Sequence, residues 1–394
     1  MIRPLTANTL PEPEPQAIAH SLRLIHFIRE AMVTQGGSIS FQEYMNHALY
    51  APGLGYYSAG SRKIGAAGDF ITAPEISPLF AACLARHCRH VLAQSPNSVI
   101  FELGAGSGKL AADLLLALEA LDSLPQSYWI LEISGDLRAR QRDTLIQRCP
   151  HLLDTVKWLE QLPDKNFTGI VLGNEVLDAL PVSRFVIENA QVMELGIQWT
   201  NDRFTYCQMP AGPALQDAVR RIEQCAGDLP EAYCSEVNLL LPHWLASIAE
   251  HLAQGLMLWI DYGYPRREYY APQRRQGTLQ CYYRHRVHDD ALAYPGLQDI
   301  TAHVDFTQVA EAASACGFSV AGYTNQMSFL INCGLEAIQE QALAKGEDPL
   351  KLTQQIKTLI SPQAMGENFK VMALTKNFVS DLLGFQTNSL LAKL

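Results

Sequence analysis

Residues 99–113, VIFELGAGSGKLAAD, place three glycines within five positions, between an apolar run and a segment whose apolar residues have helical spacing. A glycine turn between a strand and a helix lets the backbone approach a ligand closely, and the helix N-terminus behind it favours negative charge. The stretch therefore predicts a ligand site at one edge of a sheet. The kind of ligand depends on the residues beside the glycines.

Two common glycine motifs fit this stretch poorly. The phosphate-binding pattern G-x-x-x-x-G-K-[ST] matches Gly108 and Lys109, but it needs a glycine at position 103 and Ser or Thr at position 110, and both are leucine. The dinucleotide pattern G-x-G-x-x-G begins at Gly104 and Gly106, but its third glycine falls on Lys109. A nicotinamide-dependent oxidoreductase is therefore kept only as a lesser alternative.

Two acidic residues point to another ligand. Glu102 precedes the glycines, where a carboxylate suits the ammonium of an amino-acid group, and Gly104 and Gly106 leave room for that group. Glu132 ends the next apolar run, where an acid accepts hydrogen bonds from ribose hydroxyls. S-adenosyl-L-methionine carries both groups and is the predicted cofactor. The alternative for Glu132 is a solvated charge at the end of a strand.

The pattern around the turn predicts the fold class. Apolar runs alternate with helical segments over residues 98–173, and the alternation resumes at residues 239–261. Such alternation is typical of right-handed crossover units and of a parallel sheet covered on both faces. We therefore predict an α/β protein with a doubly wound, mostly parallel sheet. This core is expected at residues 98–262, with a β insertion at about residues 182–210.

The remaining segments are expected to flank this core. We expect residues 1–16 to form a flexible leader. Residues 17–97 are expected to form an N-terminal extension of helices and loops over the cofactor site. Within that extension Ser40 is placed as the N-cap of a helix. Residues 263–394 predict a C-terminal helical addition that completes the sheet and the substrate cleft, with a last strand at residues 369–374.

Composition limits the partners and the location. The 394 residues carry a net charge of −10, so neither nucleic acid nor an anionic membrane surface is an expected partner. The sequence has no run of 18 apolar residues, so it predicts no membrane span. The nine cysteines contain no Cys-x-x-Cys pair, which favours free thiols and predicts no metal site. The first 16 residues lack a transit-peptide pattern, which favours a bacterial cytoplasmic location over a mitochondrial one.

The sequence resembles the MidA-like family of class I S-adenosylmethionine-dependent methyltransferases over about residues 20–375. Seven segments carry the resemblance: YAPGLGYY at 50–57, GDFITAPEIS at 68–77, ELGAGSG at 102–108, GNEVLDALPV at 173–182, DYG at 261–263, DITAHVDF at 299–306 and MGENFKV at 365–371. The resemblance implies a Rossmann-like fold and S-adenosyl-L-methionine as methyl donor. Mitochondrial members of the family methylate an arginine of a respiratory complex I subunit and assist assembly of that complex. A protein arginine as acceptor and a respiratory-complex-like subunit as partner are therefore implied, with a homo-oligomer left open.

The expected position of the methyl group follows from the fourth core strand. Asn174 and Glu175 end this strand, beside the point where open parallel sheets bind ligands, so Asn174 is expected to contact the cofactor. The resemblance also implies that the segment at residues 68–77 folds over the cofactor, with Thr72 as a polar contact. A packed structural loop is the alternative for this segment.

Candidate catalytic residues follow from the acceptor. Carboxylates grip a guanidinium and leave an electron pair on the attacking nitrogen, and Glu175 and Asp178 are the nearest candidates. Asp261 would complete an acidic wall, and His303 is a candidate general base. Each of the last three has a structural alternative: an N-cap for the Leu-Asp-Ala-Leu turn at residues 177–180 for Asp178, a turn residue for Asp261 and a structural hydrogen bond for His303. Dedicated arginine methyltransferases generally carry two glutamates in this loop, whereas this chain has Glu175 and, three residues later, Asp178.

Because the second glutamate is missing, a cofactor-binding assembly protein with little turnover is the second hypothesis.

Overall fold

The fold is described from a computed structural model, which covers residues 10–59, 72–94, 97–379 and 381–394. Of the predicted leader, residues 1–9 lie outside the described residues. The same holds for residues 68–71 of the segment expected to fold over the cofactor, so only its part from Thr72 onward is described. In the described ranges, no helix combines the length and the apolarity that crossing a membrane requires.

The N-terminal extension consists of helices with one short strand. Its elements are α1 Pro15–Thr34, β1 Ser38–Ser40, α2 Phe41–Tyr50, α3 Ala73–Ile76 and α4 Pro78–Leu92. Ser40 caps α2, because its hydroxyl oxygen accepts a hydrogen bond from the backbone N–H of Glu43 at 3.1 Å. The predicted N-cap is thus confirmed. Helix α1 begins at Pro15, inside the range predicted as a leader, and the side chain of Leu10 is buried.

Strands and helices alternate after this extension, as the spacing predicts. The elements are β2 Val99–Leu103, α5 Lys109–Glu119, β3 Ser127–Leu131, α6 Gly135–Arg148, a 3-10 turn Pro150–Thr155, β4 Val156–Leu159 and β5 Phe167–Asn174. The four strands pair in parallel, in the order β4-β3-β2-β5. The chain therefore crosses from one side of β2 to the other between β4 and β5.

A separate antiparallel sheet is inserted after β5. Its elements are β6 Ser183–Glu188, β7 Gln191–Thr200, β8 Arg203–Pro210, α7 Pro213–Ala226 and β9 Cys234–Val237. The strand order is β1-β7-β6-β9, with β8 beside β7. The inserted unit therefore continues to Val237, beyond the predicted end near residue 210, and it recruits β1 from the N-terminal extension.

The C-terminal third completes the core sheet. Its elements are α8 Leu241–Ala249, β10 Leu252–Tyr264, α9 Arg266–Tyr269, β11 Gln280–Tyr283, β12 Arg286–His288, β13 Asp299–Thr301, β14 Val304–Asp305, α10 Phe306–Ala315, β15 Ser319–Asn325, α11 Gln326–Asn332, α12 Leu335–Ala344, α13 Pro349–Ile360, β16 Phe369–Lys376 and the 3-10 turns Leu383–Phe385 and Leu391–Lys393. The core order is β4-β3-β2-β5-β10-β16-β15, with β14 beside β10. Strand β16 is antiparallel to both of its neighbours. The predicted doubly wound, mostly parallel sheet is confirmed.

Helices cover both faces of this sheet, and the strands are apolar on both sides. Along β10, Leu258 packs into one core cluster with residues of α4 and α5. The next residue, Trp259, packs into the other cluster with residues of α8 and α10. A strand buried on both faces has a continuous apolar sequence, which explains the run GLMLWI at residues 255–260.

Replacing one central residue of β10 is expected to be costly. Leu258 is fully buried, so Leu258→Ala should lower the free energy of unfolding by about 2–5 kcal/mol. Leu350→Ala is the matched control, because the Leu350 side chain is exposed on α13 and its loss should change stability by less than about 0.5 kcal/mol. Urea denaturation of the two variants measures both values. Equal losses would contradict this description of the core.

Candidate active site

The glycine turn joins β2 to α5 at the carboxyl end of the core sheet. Gly104, Gly106 and Gly108 have positive φ angles of 67°, 53° and 80°. A Cβ atom on Gly104 would lie 2.8 Å from the Cγ2 atom of Val176, which follows β5. The backbone of the turn therefore touches the loop after β5, and the two meet where the chain order of the sheet reverses. Together they form a crevice at this edge of the sheet.

Lys109, which suggested a phosphate site in the sequence, is committed to structural contacts. Its Nζ donates to the carbonyl oxygen of Pro74 at 2.5 Å and pairs with Asp113, one turn further along α5, at 2.8 Å. The buried Asp113 also pairs with Arg148. The Lys109 ammonium is thus occupied by Pro74 and Asp113. It does not serve as the phosphate-binding cation that a phosphate-binding loop requires.

Glu102 is buried beneath the glycine turn. Its Oε2 accepts a hydrogen bond from the Tyr128 hydroxyl at 2.8 Å. Burial raises the pKa of Glu102 to about 7, and the hydrogen bond from Tyr128 partly opposes this shift. A cation nearby would stabilise the charged form of such a carboxyl group. Glu102 is therefore suited to an ammonium ligand, as the sequence predicts.

Glu132 follows β3, and its neighbours hold both of its carboxylate oxygens in place. The backbone N–H of Ser134 donates to Oε1 at 2.9 Å, and the Nε2 of Gln141 donates to Oε2 at 3.0 Å. The same Nε2 donates to the carbonyl oxygen of Gly106 at 3.2 Å, which ties the glutamate to the glycine turn. Each carboxylate oxygen keeps a further lone pair. Glu132 is therefore oriented to accept hydrogen bonds from a pair of hydroxyls.

Asn174 and Glu175 form the opposite wall of the crevice. Glu175 has a φ of 54°, a strained conformation for a side chain of this type, and its N–H is held by the carbonyl oxygen of Ile260 at 2.9 Å. Its carboxylate accepts from the Nδ2 of Asn174 at 3.1 Å and from the backbone N–H of Ala73. The Oδ1 of Asn174 is buried and has no hydrogen-bond partner among the described residues. A buried oxygen of this kind calls for a donor, which a ligand can supply.

Glu175 and Asp178 share a buried acidic environment. Burial raises the pKa of Glu175 to about 8, and the negative charge of Asp178 adds to this shift. Burial also raises the pKa of Asp178 to about 6, while a hydrogen bond from the Tyr262 hydroxyl to Oδ2 opposes it. The Oδ1 of Asp178 has no partner in the part of the chain that the structure describes. A turn at residues 178–179 follows β5, so the alternative that Asp178 caps the turn at residues 177–180 stands beside its proposed role toward the acceptor.

Asp261 lies on the neighbouring strand β10, and backbone groups occupy its carboxylate. Oδ2 accepts from the N–H groups of Val176, Leu177 and Asp178 at 3.1, 2.9 and 3.2 Å. Oδ1 accepts from the N–H of Tyr262 at 2.9 Å. Asp261 therefore holds the loop after β5 in place, and we interpret it as a positioning residue.

His303 is enclosed by aromatic and basic residues. Its ring centroid lies 5.1 Å from that of Tyr262 and 5.3 Å from that of Tyr264. Burial lowers the pKa of His303 to about 3, and the positive charges of Arg274 and Lys370 add to this shift. Such an imidazole is neutral at pH 7 and accepts a proton weakly. The geometry therefore does not favour His303 as a general base.

The short helix α3 lies across the glycine turn. The Ser107 hydroxyl donates to the Glu75 carboxylate, while Lys109 reaches Pro74 on the same helix. Thr72 immediately precedes α3 and is half-buried, and its hydroxyl makes no capping bond. Thr72 is therefore placed beside the crevice.

Some contacts at this edge were not anticipated from the sequence. The Tyr57 hydroxyl lies 2.9 Å from both carboxylate oxygens of Asp299. The Tyr50 ring stacks on Tyr57, and its hydroxyl donates to the carbonyl oxygen of Ala179 at 2.9 Å. The sequence signal for Tyr50, Tyr57 and Asp299 was their position in two of the segments that carry the family resemblance. The exposed Ile133, directly after Glu132, was also missed.

Comparisons with known proteins agree with this geometry. A family model described as S-adenosyl-L-methionine-dependent methyltransferase matches residues 81–324. The protein arginine methyltransferase NDUFAF7, mitochondrial, of Danio rerio is 30% identical, and the match covers 86% of this chain and 83% of the relative. The protein of the same name from Homo sapiens is 27% identical, with 92% and 85% covered.

A solved structure matches nearly the whole chain. It is the crystal structure of a COG1565 superfamily member from Burkholderia thailandensis bound to S-adenosyl-homocysteine. It is 41% identical, has a TM-score of 0.93, and the match covers 98% of this chain and 100% of that chain. The predicted methyltransferase fold and cofactor are confirmed, and the oxidoreductase alternative is set aside.

The prediction of a bacterial cytoplasmic location is wrong by these comparisons. The curated relatives from Danio rerio and Homo sapiens are both named as mitochondrial. The prediction relied on the composition of residues 1–16, which carries less information than similarity along most of the chain.

The matches thus extend well beyond the glycine turn, from the N-terminal extension to the C-terminal third. The chain belongs to this family of S-adenosyl-L-methionine-dependent methyltransferases.

Proposed function

We propose that this methyltransferase acts on an arginine side chain of a protein substrate. The observation that carries the proposal is the buried pair Glu175 and Asp178 beside the cofactor crevice, with the Oδ1 of Asp178 lacking a donor in the described part of the chain. Buried carboxyl groups with raised pKa values are stabilised by a cationic ligand. The curated relatives named as protein arginine methyltransferases support the same acceptor.

The residues around the crevice fit S-adenosyl-L-methionine. We assign the methionine ammonium to Glu102 and the unpartnered Oδ1 of Asn174, and the ribose hydroxyls to Glu132. Gly104 lets the glycine turn lie against the loop after β5, because a Cβ there would meet Val176, and Ile133, 72% exposed, would cover an apolar face of the adenine. When bound, the cofactor supplies a methyl group activated by a sulfonium.

Glu175 and Asp178 are assigned to the acceptor. A guanidinium presents its N–H donors in a planar fork that carboxylates bind in defined geometry. Glu175 already accepts from Asn174 and Ala73, which fix its direction, while Asp178 is oriented by Tyr262. This arrangement would hold the attacking nitrogen against the methyl group and reduce the entropy cost of the reaction.

The raised pKa of Glu175 gives it a second role. The electron pair of the attacking nitrogen forms the bond to the methyl carbon, the carbon–sulfur bond breaks with its electrons on sulfur, and the nitrogen releases one proton. A carboxylate whose pKa is about 8 accepts a proton more readily than an exposed one. We therefore assign the released proton to Glu175, from which it passes to solvent.

For the partner, we infer a subunit of a respiratory-type complex. The support is the resemblance over residues 20–375 to a family whose mitochondrial members act on such a subunit. The N-terminal extension reaches the loop after β5 through the Tyr50 hydroxyl, which donates to the carbonyl oxygen of Ala179, and it supplies β1 to the inserted sheet; both would add walls suited to a peptide segment.

The substrate can be identified directly. A lysate from cells that lack this protein is incubated with the purified enzyme and S-adenosyl-L-methionine carrying a deuterated methyl group. Mass spectrometry is expected to find the label on arginine of a subunit of a respiratory complex. Label confined to lysine, glutamine or small molecules would contradict the proposed acceptor, and label on an arginine elsewhere would contradict the inferred partner.

Cofactor binding should depend on the absence of a side chain at position 104. Gly104→Ala should raise the Kd for S-adenosyl-homocysteine at least about tenfold, because the new Cβ would collide with Val176. Gly53→Ala is the matched control, since Gly53 has the same φ of 67° and no atom within 4 Å of the added Cβ. Isothermal titration calorimetry measures both. An unchanged Kd in Gly104→Ala would rule out this seat.

The pH profile should report on Glu175. Its carboxyl group keeps a proton below its raised pKa of about 8, so kcat/KM for an arginine peptide should rise with pH until that value is passed. Glu175→Gln should remove this dependence and lower kcat/KM by about 10²–10⁴-fold. Glu347→Gln, on an exposed loop, is the control. If kcat/KM of Glu175→Gln still rises with pH up to about pH 8, the titration belongs to another group.

A further inference from the structure

Two tyrosines of the N-terminal extension connect the Asp178 loop to another buried carboxylate, Asp299 on β13. The Tyr57 hydroxyl lies 2.9 Å from each carboxylate oxygen of Asp299. The Tyr57 ring stacks on the Tyr50 ring, with centroids 5.5 Å apart and an angle of 22° between the planes. The Tyr50 hydroxyl then reaches the carbonyl oxygen of Ala179, directly after Asp178, at 2.9 Å.

A second set of contacts ties Asp299 to the same loop from the other side. The N–H of Ala302, just after β13, donates to the carbonyl oxygen of Asp178 at 3.0 Å. In a separate antiparallel sheet of order β12-β11-β13, Asp299 pairs in register with Tyr282 of β11. Asp299 and the Asp178 loop are therefore held together by both backbone and side-chain contacts.

The electrostatics agree with this proximity. The negative charge of Asp299 raises the pKa of Glu175, in addition to the larger effects of burial and of Asp178. Burial raises the pKa of Tyr282, and the charges of Asp178, Asp299 and Glu175 add to that shift. The three carboxylates therefore all lie close enough to the Tyr282 hydroxyl to raise its pKa.

The position of Tyr57 depends on a turn that folds back over the end of α2. The N–H groups of Tyr56 and Tyr57 donate to the carbonyl oxygens of Ala48 and Leu49, each at 2.8 Å. A Cβ on Gly55 would lie 2.6 Å from the Leu49 carbonyl oxygen, so this turn requires glycine. The extension is thus built to bring Tyr57 to Asp299.

We propose that Asp299, held by Tyr57, is the third carboxylate of the acceptor site and that it makes the site selective for a guanidinium over an ammonium. This inference rests on the proposed function. A second observation supports a ligand here: the side chain of Asp178 is only 5% exposed, yet its Oδ1 has no donor within the described chain.

The chemistry of the two cations explains the selectivity. A guanidinium spreads five N–H donors over a plane, so it reaches carboxylates on several sides at once and stacks on aromatic faces. The rings of Tyr50 and Tyr57 stack on each other beside Asp299, and the Tyr57 hydroxyl holds its carboxylate. A lysine ammonium is a compact charge with three donors, and it cannot satisfy carboxylates spread over two loops equally well. Tyr57 acts as a positioning residue in this scheme.

The test compares two probes on the protein saturated with S-adenosyl-homocysteine. N-acetyl-arginine methylamide and N-acetyl-lysine methylamide are titrated by calorimetry into the parent, Asp299→Asn and Tyr57→Phe. We expect the parent to bind the arginine probe at least about tenfold more tightly, because each unmatched buried carboxylate costs binding free energy. Asp299→Asn should lose about tenfold or more of the arginine affinity and most of the selectivity, and Tyr57→Phe about threefold.

A matched control separates this role from general stability. Tyr44→Phe also removes a buried hydroxyl from α2, one that donates to the Ala291 carbonyl oxygen at 3.0 Å, and it should leave both affinities unchanged. The affinity for S-adenosyl-homocysteine should stay at the parent value in all three variants. If Asp299→Asn loses the affinity for S-adenosyl-homocysteine, that variant is misfolded. The ratio of the arginine-probe and lysine-probe affinities in Tyr57→Phe then tests the proposal.

Two outcomes would overturn the inference. One is a parent protein that binds neither probe or binds both equally. The other is Asp299→Asn, or Tyr57→Phe where the first is misfolded, with the affinity and the selectivity of the parent. If either outcome is observed while mass spectrometry of the lysate finds the deuterated methyl group on arginine, only this inference fails. If the label lies on another acceptor, the proposed function fails as well.

Discussion

The Asp261 carboxylate binds four backbone N–H groups, three of them from consecutive residues of the loop after β5. This interaction fixes Val176 against Gly104 and so sets the width of the crevice between β2 and β5. It also sets the direction in which Asn174 and Glu175 leave the sheet, since Glu175 is held in a strained conformation on the same loop. The proposed seat of the cofactor and the proposed site of the acceptor therefore share one structural support.

The crevice concentrates buried acids that have no ion-pair partner. Neither Glu102, Glu175 nor Asp178 forms a salt bridge within the described chain, and burial raises the pKa of each. In the folded protein alone, such groups oppose stability because charging them without water is costly. Both proposed ligands carry positive charge, on the ammonium and sulfonium of the donor and on the guanidinium of the acceptor. The buried acids thus lower the stability of the fold when the site is empty, and their charge is matched to the positive charges of the proposed ligands.

The donor could be predicted from sequence, and residues could be proposed for its site, because the signals are local. Glu102, the glycines and Glu132 stand at the ends of two adjacent parallel strands, and the rules for such strands apply without any tertiary detail. The acceptor side depends on distant contacts: Tyr57 and Asp299 are 242 residues apart. Asp261 illustrates the same limit. The sequence predicted that it completes an acidic wall, but its role depends on which backbone groups face it. The strand β9 was missed for a similar reason, since it joins the inserted sheet only after a helix of its own.

The Tyr50–Tyr57 stack belongs to the extension, whereas the glycine turn and Glu132 belong to the core. On these proposals, the core holds the methyl donor and supplies Glu175 and Asp178 to the acceptor, while the extension contributes the tyrosine that positions Asp299. This division lets acceptor recognition diverge in evolution while the donor site is kept: an altered turn after α2 can change what is methylated without disturbing the donor. For protein engineering, the short segment at residues 50–57 is therefore the economical place to retarget this scaffold.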